Sequence, residues 1–395
     1  TSLGTLAYAY DNANRLVTET IDGSTTTYAY DATNQLTSAR GARTEDYAWD
    51  LNGNPNGTGW TTASNNRLTA SPTATYTYDN EGNLASKTDT GTGKTTTFAY
   101  DHRNRLTGMT IKAGGGTVEF QATYTYDALD RRIGVKVDAD GAGSGSAVQT
   151  WHVYDGDNVY ADFDGSGTVT TRYLCGLGVD ELLARTDAGG TSAWYLVDRL
   201  GSVRKIADTA GNVVYATSYS SFGVKQGESG TGGDRWGYTG REHDAGTEQR
   251  YHRARYFGED ELRWTQLDPI GFQSCEPNLF RFVGNSSTLY CDYTGCKRKI
   301  VIGVHSNIVD DDDLFNNPVE GGRTGGHSSI SIWIDEKLDS TYGLWPDSNR
   351  IVNPNGRFGT DVRVNLEQDH PFRYEYGRYY ELTEADYTRF LKWNA

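Results

Sequence analysis

The sequence has little methionine and proline and no long apolar run, and each shortage limits what the chain can be. One Met and 8 Pro stand among 395 residues that include 47 Gly, 27 Tyr and 9 Trp. No stretch of about 18 apolar residues occurs, so we expect no membrane-spanning helix. No signal-peptide pattern opens the chain, and because it begins at Thr1 we interpret it as a segment of a longer polypeptide.

Cysteine is scarce as well, and positive charge is in deficit. Cys175, Cys275, Cys291 and Cys296 follow no common zinc-binding spacing, so we expect free buried thiols, with a disulfide in an oxidising compartment as the alternative. The 37 Lys and Arg are outnumbered by 52 Asp and Glu, which gives a formal net charge of −15. A nucleic-acid surface needs clustered positive charge, so we predict no nucleic-acid partner. We also expect no cofactor and no metal site.

What the sequence does contain is a short aromatic motif, Tyr-X-Tyr-Asp, repeated through its first third. Clear copies occupy 8–11, 28–31, 76–79 and 124–127, with looser copies at 47–50 and 98–101 and a period of 19 to 29 residues. The two rings of a copy point to one face of a strand, because side chains alternate along it. The Asp can accept hydrogen bonds from backbone N–H groups two or three residues on and so close a turn. We therefore predict strand–turn–strand units that stack into a continuous antiparallel sheet.

These repeats resemble the YD repeats of Rhs and teneurin-like proteins. Two further stretches, Tyr-Leu-Val-Asp-Arg-Leu-Gly-Ser-Val-Arg at 195–204 and Tyr-Thr-Gly-Arg-Glu at 238–242, are similar to the Rhs-associated core that ends such arrays. The resemblance covers about residues 1–295. It implies a mainly β fold in which a YD-repeat antiparallel sheet spirals into a hollow shell around a C-terminal passenger.

The resemblance also implies three domains. Residues 1–240 would form the YD-repeat shell, and residues 241–295 would form the Rhs-associated core, here termed the plug, which would cut the chain. Residues 296–395 would form a small α+β toxin domain.

The plug carries two motifs of the DPxG type, one intact at 268–271 and one at 292–295 with Tyr in place of Pro. In the Rhs family these motifs take part in autoproteolytic release of the passenger. Resemblance therefore implies catalytic roles for Asp268 and Asp292, with Arg255 as a positioning or pKa-tuning group.

Cleavage is then expected between Gly295 and Cys296. The chemistry is plausible for a pair of aspartates, because two carboxylates held close together cannot both ionise easily, and one can serve as acid while the other serves as base. The alternative, from the residues alone, is that both aspartates only cap turns.

The repeat pattern stops after the plug, and the last hundred residues predict alternating strands followed by a helix from about residue 384. The stretches at 326–332, 341–346 and 380–387 resemble circularly permuted papain-like proteins of the NlpC and LRAT-like kind. In that family the His precedes the nucleophilic Cys, so resemblance implies His327 as the catalytic imidazole. No Cys follows His327, and we expect the nucleophile beyond residue 395.

Together these patterns predict a secreted polymorphic toxin whose C-terminal part is delivered into a target cell. That part would be a cysteine peptidase, amidase or acyltransferase acting on a protein, peptide or lipid substrate. The expected partners are its own N-terminal shell segments, a cognate immunity protein, and secretion machinery of the type VI or Tc-like kind.

Two alternatives remain: an adhesion or structural YD-repeat protein of the cell surface without an enzymatic tail, and a toxin of other chemistry such as a nuclease. The 12 basic and 16 acidic residues from 297 onward disfavour a nuclease.

Overall fold

The structure is a computed structural model that describes residues 3–296, except Val179, Ala245 and Cys275, and six backbone strands between residues 300 and 382. The chain divides into two compact units, residues 1–271 with 276–296 and residues 272–275 with 297–395. Both contain antiparallel sheets, so the chain is mainly β, as predicted. Among the described residues, no helix is long and apolar enough to cross a membrane.

The first unit begins with a sheet of five strands that pair in sequence order. Their bounds are β1 Leu6–Tyr10, β2 Leu16–Ile21, β3 Ser24–Tyr30, β4 Leu36–Gly41 and β5 Glu45–Asp46. Each neighbouring pair is antiparallel, and the register shifts by one residue beside a Tyr that precedes a motif Asp, as at Ala29/Tyr30.

A second sheet of sixteen strands follows, again paired in sequence order and antiparallel. Its strands are β6 Thr61–Thr62, β7 Leu68–Ala70, β8 Ala74–Tyr78, β9 Leu84–Asp89, β10 Thr95–Tyr100, β11 Leu106–Lys112, β12 Val118–Tyr126, β13 Arg132–Asp138, β14 Val148–Asp155, β15 Asn158–Asp164, β16 Val169–Cys175, β17 Leu182–Asp187, β18 Ser192–Val197, β19 Val203–Asp208, β20 Val213–Tyr219 and β21 Lys225–Gly230. A short 3-10 helix, Ser64–Asn66, lies between β6 and β7.

The turn of each repeat is built by its Asp. Asp31 Oδ1 accepts the backbone N–H groups of Thr33 at 2.8 Å and Gln35 at 2.9 Å, and Asp31 Oδ2 accepts the Gln35 side chain at 2.9 Å. The bonds reach two and four residues on rather than two or three. Asn34 between them has φ 65°, a left-handed conformation that Asn tolerates well.

The two tyrosines of a motif have different roles, one in the core and one in a hydrogen bond to a neighbouring repeat. The first Tyr of three clear copies, Tyr28, Tyr76 and Tyr124, is buried in the hydrophobic core, and Tyr8 packs partly buried against it. The second donates its hydroxyl to a carbonyl of the preceding repeat: Tyr30 to Leu16 at 2.8 Å and Tyr126 to Leu106 at 2.7 Å. Each repeat is thereby bonded to the one before it, while the ring still covers apolar area.

The plug contains a four-stranded antiparallel sheet in which every residue of the two central strands is buried. Its strands are β22 Glu242–Asp244, β23 Gln249–His252, β24 Arg255–Gly258 and β25 Arg263–Trp264, and short 3-10 helices lie at Tyr238–Gly240, Gly271–Ser274 and Val283–Asn285.

Arg132 of β13 anchors the repeat sheet to this plug. Its guanidinium is 2.9 Å from Glu242 and 2.7 Å from Asp244, and it packs 4.2 Å from the Tyr251 ring centroid. Because Arg132 is 1% exposed, these plug residues provide its charge compensation and much of its packing.

The described backbone of the second unit forms a six-stranded sheet. Its strands are β26 Ile300–Ser306, β27 Ser328–Ile334, β28 Lys337–Asp347, β29 Arg350–Ile351, β30 Arg363–Leu366 and β31 Gly377–Leu382. β31, β26, β27, β28 and β29 pair in that order, and β30 also pairs with β28. The sequence predicts alternating strands for this part of the chain, and the described backbone contains strands here. The helix predicted after residue 384 lies outside the described residues.

Candidate functional site

The candidate site is built around the tight hairpin that joins β23 to β24. His252 ends β23 and pairs in register with Arg255, which begins β24. Between them Arg253 adopts φ 59°, which lets the chain reverse within two residues. Both pairing residues are fully buried, so their side chains point into the plug rather than toward solvent.

The structure brings Arg255, Asp268 and Asp292 together. Arg255 Nη2 lies 3.0 Å from Asp268 Oδ2 and 3.5 Å from Asp292 Oδ2. The three side chains are 2%, 3% and 8% exposed, so solvent screens these charges poorly. One guanidinium thus faces two carboxylates in a buried space.

Both aspartates also cap turns, which is the alternative that the sequence leaves open. Asp268 Oδ1 accepts the N–H of Ile270 at 3.2 Å. Asp292 Oδ1 accepts the N–H groups of Thr294 at 3.1 Å and Gly295 at 2.8 Å. Each carboxylate therefore uses one oxygen for its turn and turns the other toward Arg255.

The peptide bond between Gly295 and Cys296 is held on both sides. Arg255 Nε donates to the Gly295 carbonyl oxygen, and the Cys296 N–H donates to Thr294 Oγ1 at 3.2 Å. Gly295 has φ 69°, and a Cβ added there would lie 2.3 Å from the His252 carbonyl oxygen. Only glycine therefore fits at this position.

Burial and packing shape the electrostatics of Arg255. Its guanidinium stacks 4.2 Å from the Trp264 ring centroid. Burial lowers the pKa of Arg255 from its usual value, and the neighbouring Asp268 and Asp292 act against that decrease. A buried arginine paired with carboxylates keeps a rigid array of donors at fixed positions.

His252 is a residue of this site that the sequence analysis misses. Its Nδ1 lies 2.6 Å from the Asp292 carbonyl oxygen, while Nε2 has no hydrogen-bond partner among the described residues. The ring packs edge-on against Trp264 at 5.1 Å and Phe282 at 5.9 Å. Burial and the nearby Arg241 hold the pKa of His252 well below 6.5. The ring is therefore neutral and donates from Nδ1 to the turn that carries Asp292.

The signal for His252 in the sequence is its place three residues before Arg255. A tight hairpin pairs two residues at this spacing across its strands.

His327, the predicted imidazole of the toxin domain, lies outside the described residues.

The comparisons with known proteins concern mainly the repeats and the plug. Residues 2–277 match the family model described as Teneurin YD-shell. The chain is 26% identical over 302 residues to the tRNA3(Ser)-specific nuclease WapA of Bacillus spizizenii, covering 73% of this chain and 11% of that protein. It is 27% identical over 316 residues to the double-stranded DNA deaminase toxin A of Burkholderia cenocepacia, covering 70% of this chain and 21% of that protein. The chain thus spans a tenth to a fifth of these relatives.

Solved structures with a similar fold come from Tc toxins. The TcdB2-TccC3 crystal structure has a TM-score of 0.52 at 18% identity and covers 74% of this chain and 17% of that chain. The Tc holotoxin pore of Photorhabdus luminescens has the same TM-score at 17% identity, covering 75% of this chain and 17% of that one. At such identities the likeness shows the fold alone.

Proposed function

Because the chain belongs to the Teneurin YD-shell family, we propose that it is part of a toxin whose plug cuts the chain between Gly295 and Cys296. In this proposal residues 1–240 form the shell, residues 241–295 form the self-cleaving plug, and residues 296–395 belong to the released toxin domain.

One observation carries the cleavage proposal: Arg255 contacts both carboxylates and the carbonyl of the expected scissile bond at once. Its Nη2 faces Asp268 and Asp292, and its Nε donates to the Gly295 oxygen. Turn caps alone would not require a buried cation between them, since a cap is complete once its N–H groups are bonded. This cluster of one cation, two carboxylates and a bonded carbonyl supports the proposal that the groups act together on the Gly295–Cys296 bond.

The reaction proposed is hydrolysis of that peptide bond by one water molecule. One carboxylate accepts a proton from the water, whose oxygen attacks the Gly295 carbonyl carbon. The other carboxyl, in its protonated form, gives its proton to the Cys296 nitrogen as the carbon–nitrogen bond breaks. Arg255 stabilises the negative charge that develops on the Gly295 oxygen. The products are a carboxylate at Gly295 and an amine at Cys296.

His252 enters this proposal as a positioning residue. It bonds the carbonyl of Asp292 and so fixes the turn that presents Gly295 to Arg255. Tyr293 stands where the family motif has Pro, but the turn is closed without it by the two N–H bonds to Asp292. We therefore infer that the missing proline leaves the cleavage geometry intact.

The toxin assignment is favoured over a surface adhesin by two relatives that are named for attack on nucleic acids and one family of toxin structures with this fold. We accordingly propose that the protein is secreted, that its tail enters a target cell, and that an immunity protein and type VI or Tc-like machinery are its partners. Since those relatives are a nuclease and a DNA deaminase, a nucleic-acid substrate stays open for the tail.

For the tail itself we propose acyl transfer by a cysteine hydrolase in which His327 lowers the pKa of a thiol encoded beyond residue 395. Its support is the sequence resemblance at 326–332, 341–346 and 380–387 and the acidic balance from residue 297 onward, which is unfavourable to nucleic-acid binding.

The cleavage proposal is tested by expressing the full chain beside Asp292→Asn and Asp268→Asn, and analysing each by denaturing gel and intact mass. We expect the unchanged chain to break after Gly295 and both variants to stay whole. Asp127→Asn is the matched control, because Asp127 also caps a turn with one carboxylate oxygen but lies in the repeat sheet. An unchanged chain that stays intact, or an Asp292→Asn chain that splits at the same bond, would contradict the proposal.

The tail proposal is tested on the full gene product, produced inside bacterial cells with and without His327→Ala. Growth arrest that requires both His327 and a downstream Cys supports acyl transfer. If cells that produce the His327→Ala variant still stop growing, and their nucleic acid is degraded or deaminated, the acyl-transfer proposal is wrong and the tail is a nuclease or a deaminase.

A further inference from the structure

A second polar cluster lies in the plug, outside the residues proposed to cut the chain. His243 stands on β22, Glu248 in the turn between β22 and β23, and Glu259 directly after β24. The backbone N–H of Glu259 is bonded to the Glu248 carbonyl at 3.4 Å, which brings the two acidic residues together. Three separate elements thus converge on one point.

The ligand atoms of this cluster are close enough together to surround a small cation after a modest contraction. His243 Nε2 lies 3.8 Å from Glu248 Oε2 and 3.7 Å from Glu259 Oε1, and one ligand atom of each residue lies within 4.8 Å of the others. Around a tetrahedral zinc ion, ligand atoms at about 2.1 Å from the metal stand about 3.4 Å apart. A contraction of a few tenths of an ångström would close these two contacts around such an ion.

Glu259 supplies an independent indication. It is 1% exposed, and Arg250 Nε lies 2.7 Å from its Oε1. Within the part of the chain that the structure describes, neither oxygen of Glu259 makes a hydrogen bond of acceptable geometry. A buried carboxylate that lies beside a histidine and a second carboxylate, and whose oxygens lack well-aligned hydrogen bonds, is a position that a metal ion would complete.

The local charge balance points the same way. Asp260 and Glu261 follow Glu259, and Lys87 lies 2.9 Å and 3.0 Å from them. Carboxylates therefore outnumber cations around the cluster, with two cationic side chains, Lys87 and Arg250, set against the four acids Glu248, Glu259, Asp260 and Glu261. A divalent cation would offset this excess.

We propose that His243, Glu248 and Glu259 bind one divalent transition-metal ion of the zinc type. A ring nitrogen with two carboxylates suits zinc better than calcium or magnesium, which take oxygen ligands. The Glu248 side chain is 59% exposed, so water can complete the coordination from the solvent side. The spacing rules for zinc sites miss this one because its ligands come from three elements rather than a paired motif.

The test uses the full chain, freed of metal by a chelator and titrated with Co²⁺ as a spectroscopic probe and then with Zn²⁺. We expect one equivalent of Co²⁺ to give the visible absorption bands of a tetrahedral site and Zn²⁺ to remove them. Glu248→Gln should weaken Co²⁺ binding at least tenfold, while Glu228→Gln, an exposed acid on β21, should leave it unchanged. Glu248 is exposed enough for its variant to fold, and a circular dichroism spectrum checks this.

His243→Gln provides a second variant, and it separates this cluster from any other histidine that binds cobalt. Loss of the bands in both variants supports the site. Absence of bands in the unchanged chain, or equal binding by the unchanged chain and both variants, would show that the cluster is only a set of ion pairs, and the proposal would be wrong.

Discussion

Asp127 in the repeat sheet and Asp292 in the plug both cap turns, yet only the second belongs to a candidate reaction site. Asp127 Oδ1 accepts the N–H groups two and four residues on, whereas Asp292 Oδ1 accepts those two and three residues on. Turn capping by one carboxylate oxygen is therefore common to both aspartates and does not by itself indicate a reaction site.

The difference lies in the second carboxylate oxygen. Asp127 Oδ2 pairs with Arg131, four residues on in its own turn, and the Arg131 side chain is 31% exposed. Asp292 Oδ2 faces Arg255, which comes from another strand, is 2% exposed and also serves Asp268. The second oxygen of Asp292 faces a buried cation that it shares with another carboxylate, and this separates Asp292 from Asp127.

The largest expected contrast between the two regions comes from removing the cation. Arg255→Leu leaves two buried carboxylates without their partner, and we expect it to lower the free energy of unfolding by about 3–5 kcal/mol. Arg131→Leu removes a partly exposed pair and should cost less than about 1 kcal/mol. Urea unfolding of both variants, followed by tryptophan fluorescence, measures the difference. Equal losses of stability in the two variants would show that the ion pairs of Arg255 contribute no more to folding than the exposed pair of Arg131.

The two regions also differ in how much room their turn glycines have. Gly295→Ala should stop the proposed cleavage, because the new Cβ meets the His252 carbonyl and must move the Gly295–Cys296 bond away from Arg255. Gly167 in the repeats has φ 85° with nothing within 4 Å of a Cβ, so Gly167→Ala should cost about 1 kcal/mol of stability and leave cleavage unchanged. The rate of appearance of the shorter band on a gel checks both. If Gly295→Ala is cleaved at the normal rate, the contact between Arg255 and the Gly295 carbonyl is not needed for cleavage, and this part of the proposal is wrong.

The repeats could be predicted from the sequence because their determinants are local. A Tyr-X-Tyr-Asp stretch fixes a face, a turn and a returning strand within about ten residues, and the structure has each of them. Even there the sequence misplaces one detail: the second N–H bonded by the Asp belongs to the fourth residue on, whose own side chain bonds Oδ2.

The plug could be predicted only in part, because its contacts join distant segments. Asp268, Asp292 and Arg255 are predicted only through a resemblance, since their spacing alone indicates turn caps. The anchor of Arg132 on Glu242, 110 residues later, depends on how the sheet is arranged in space, and no sequence period encodes that. His252 was missed for the same reason: its role follows from what it faces across the hairpin.

The pH dependence of the buried anchor is the next largest contrast. Burial would raise the pKa of Glu242, but Arg132 and Arg235 lower it to about 2, below its ordinary 4.5. A carboxyl whose pKa is lower in the folded state stabilises the fold above pH 4.5 and loses that effect as the pH falls toward 2. The loss is on the order of 3 kcal/mol. Urea midpoints between neutral pH and about pH 2.5 should therefore fall more steeply for the unchanged chain than for Glu242→Gln.

Glu81→Gln is the control for this slope, since Glu81 is an exposed residue of the turn between β8 and β9. It should reproduce the pH dependence of the unchanged chain. If the urea midpoint falls equally steeply with pH in all three proteins, the loss of stability in acid does not come from Glu242.

The smallest expected effect concerns His252, and it separates positioning from acid–base chemistry. His252→Phe keeps the ring packing but removes the donor to the Asp292 carbonyl, so cleavage should slow about tenfold. His252→Asn restores a donor and should stay within about threefold of the unchanged chain. Because the pKa of His252 is held well below 6.5, its ring is neutral at physiological pH, and neither variant should alter the shape of the pH profile of cleavage. A profile that changes shape in His252→Phe would mean that the ring itself exchanges a proton in the reaction, which a positioning residue does not do.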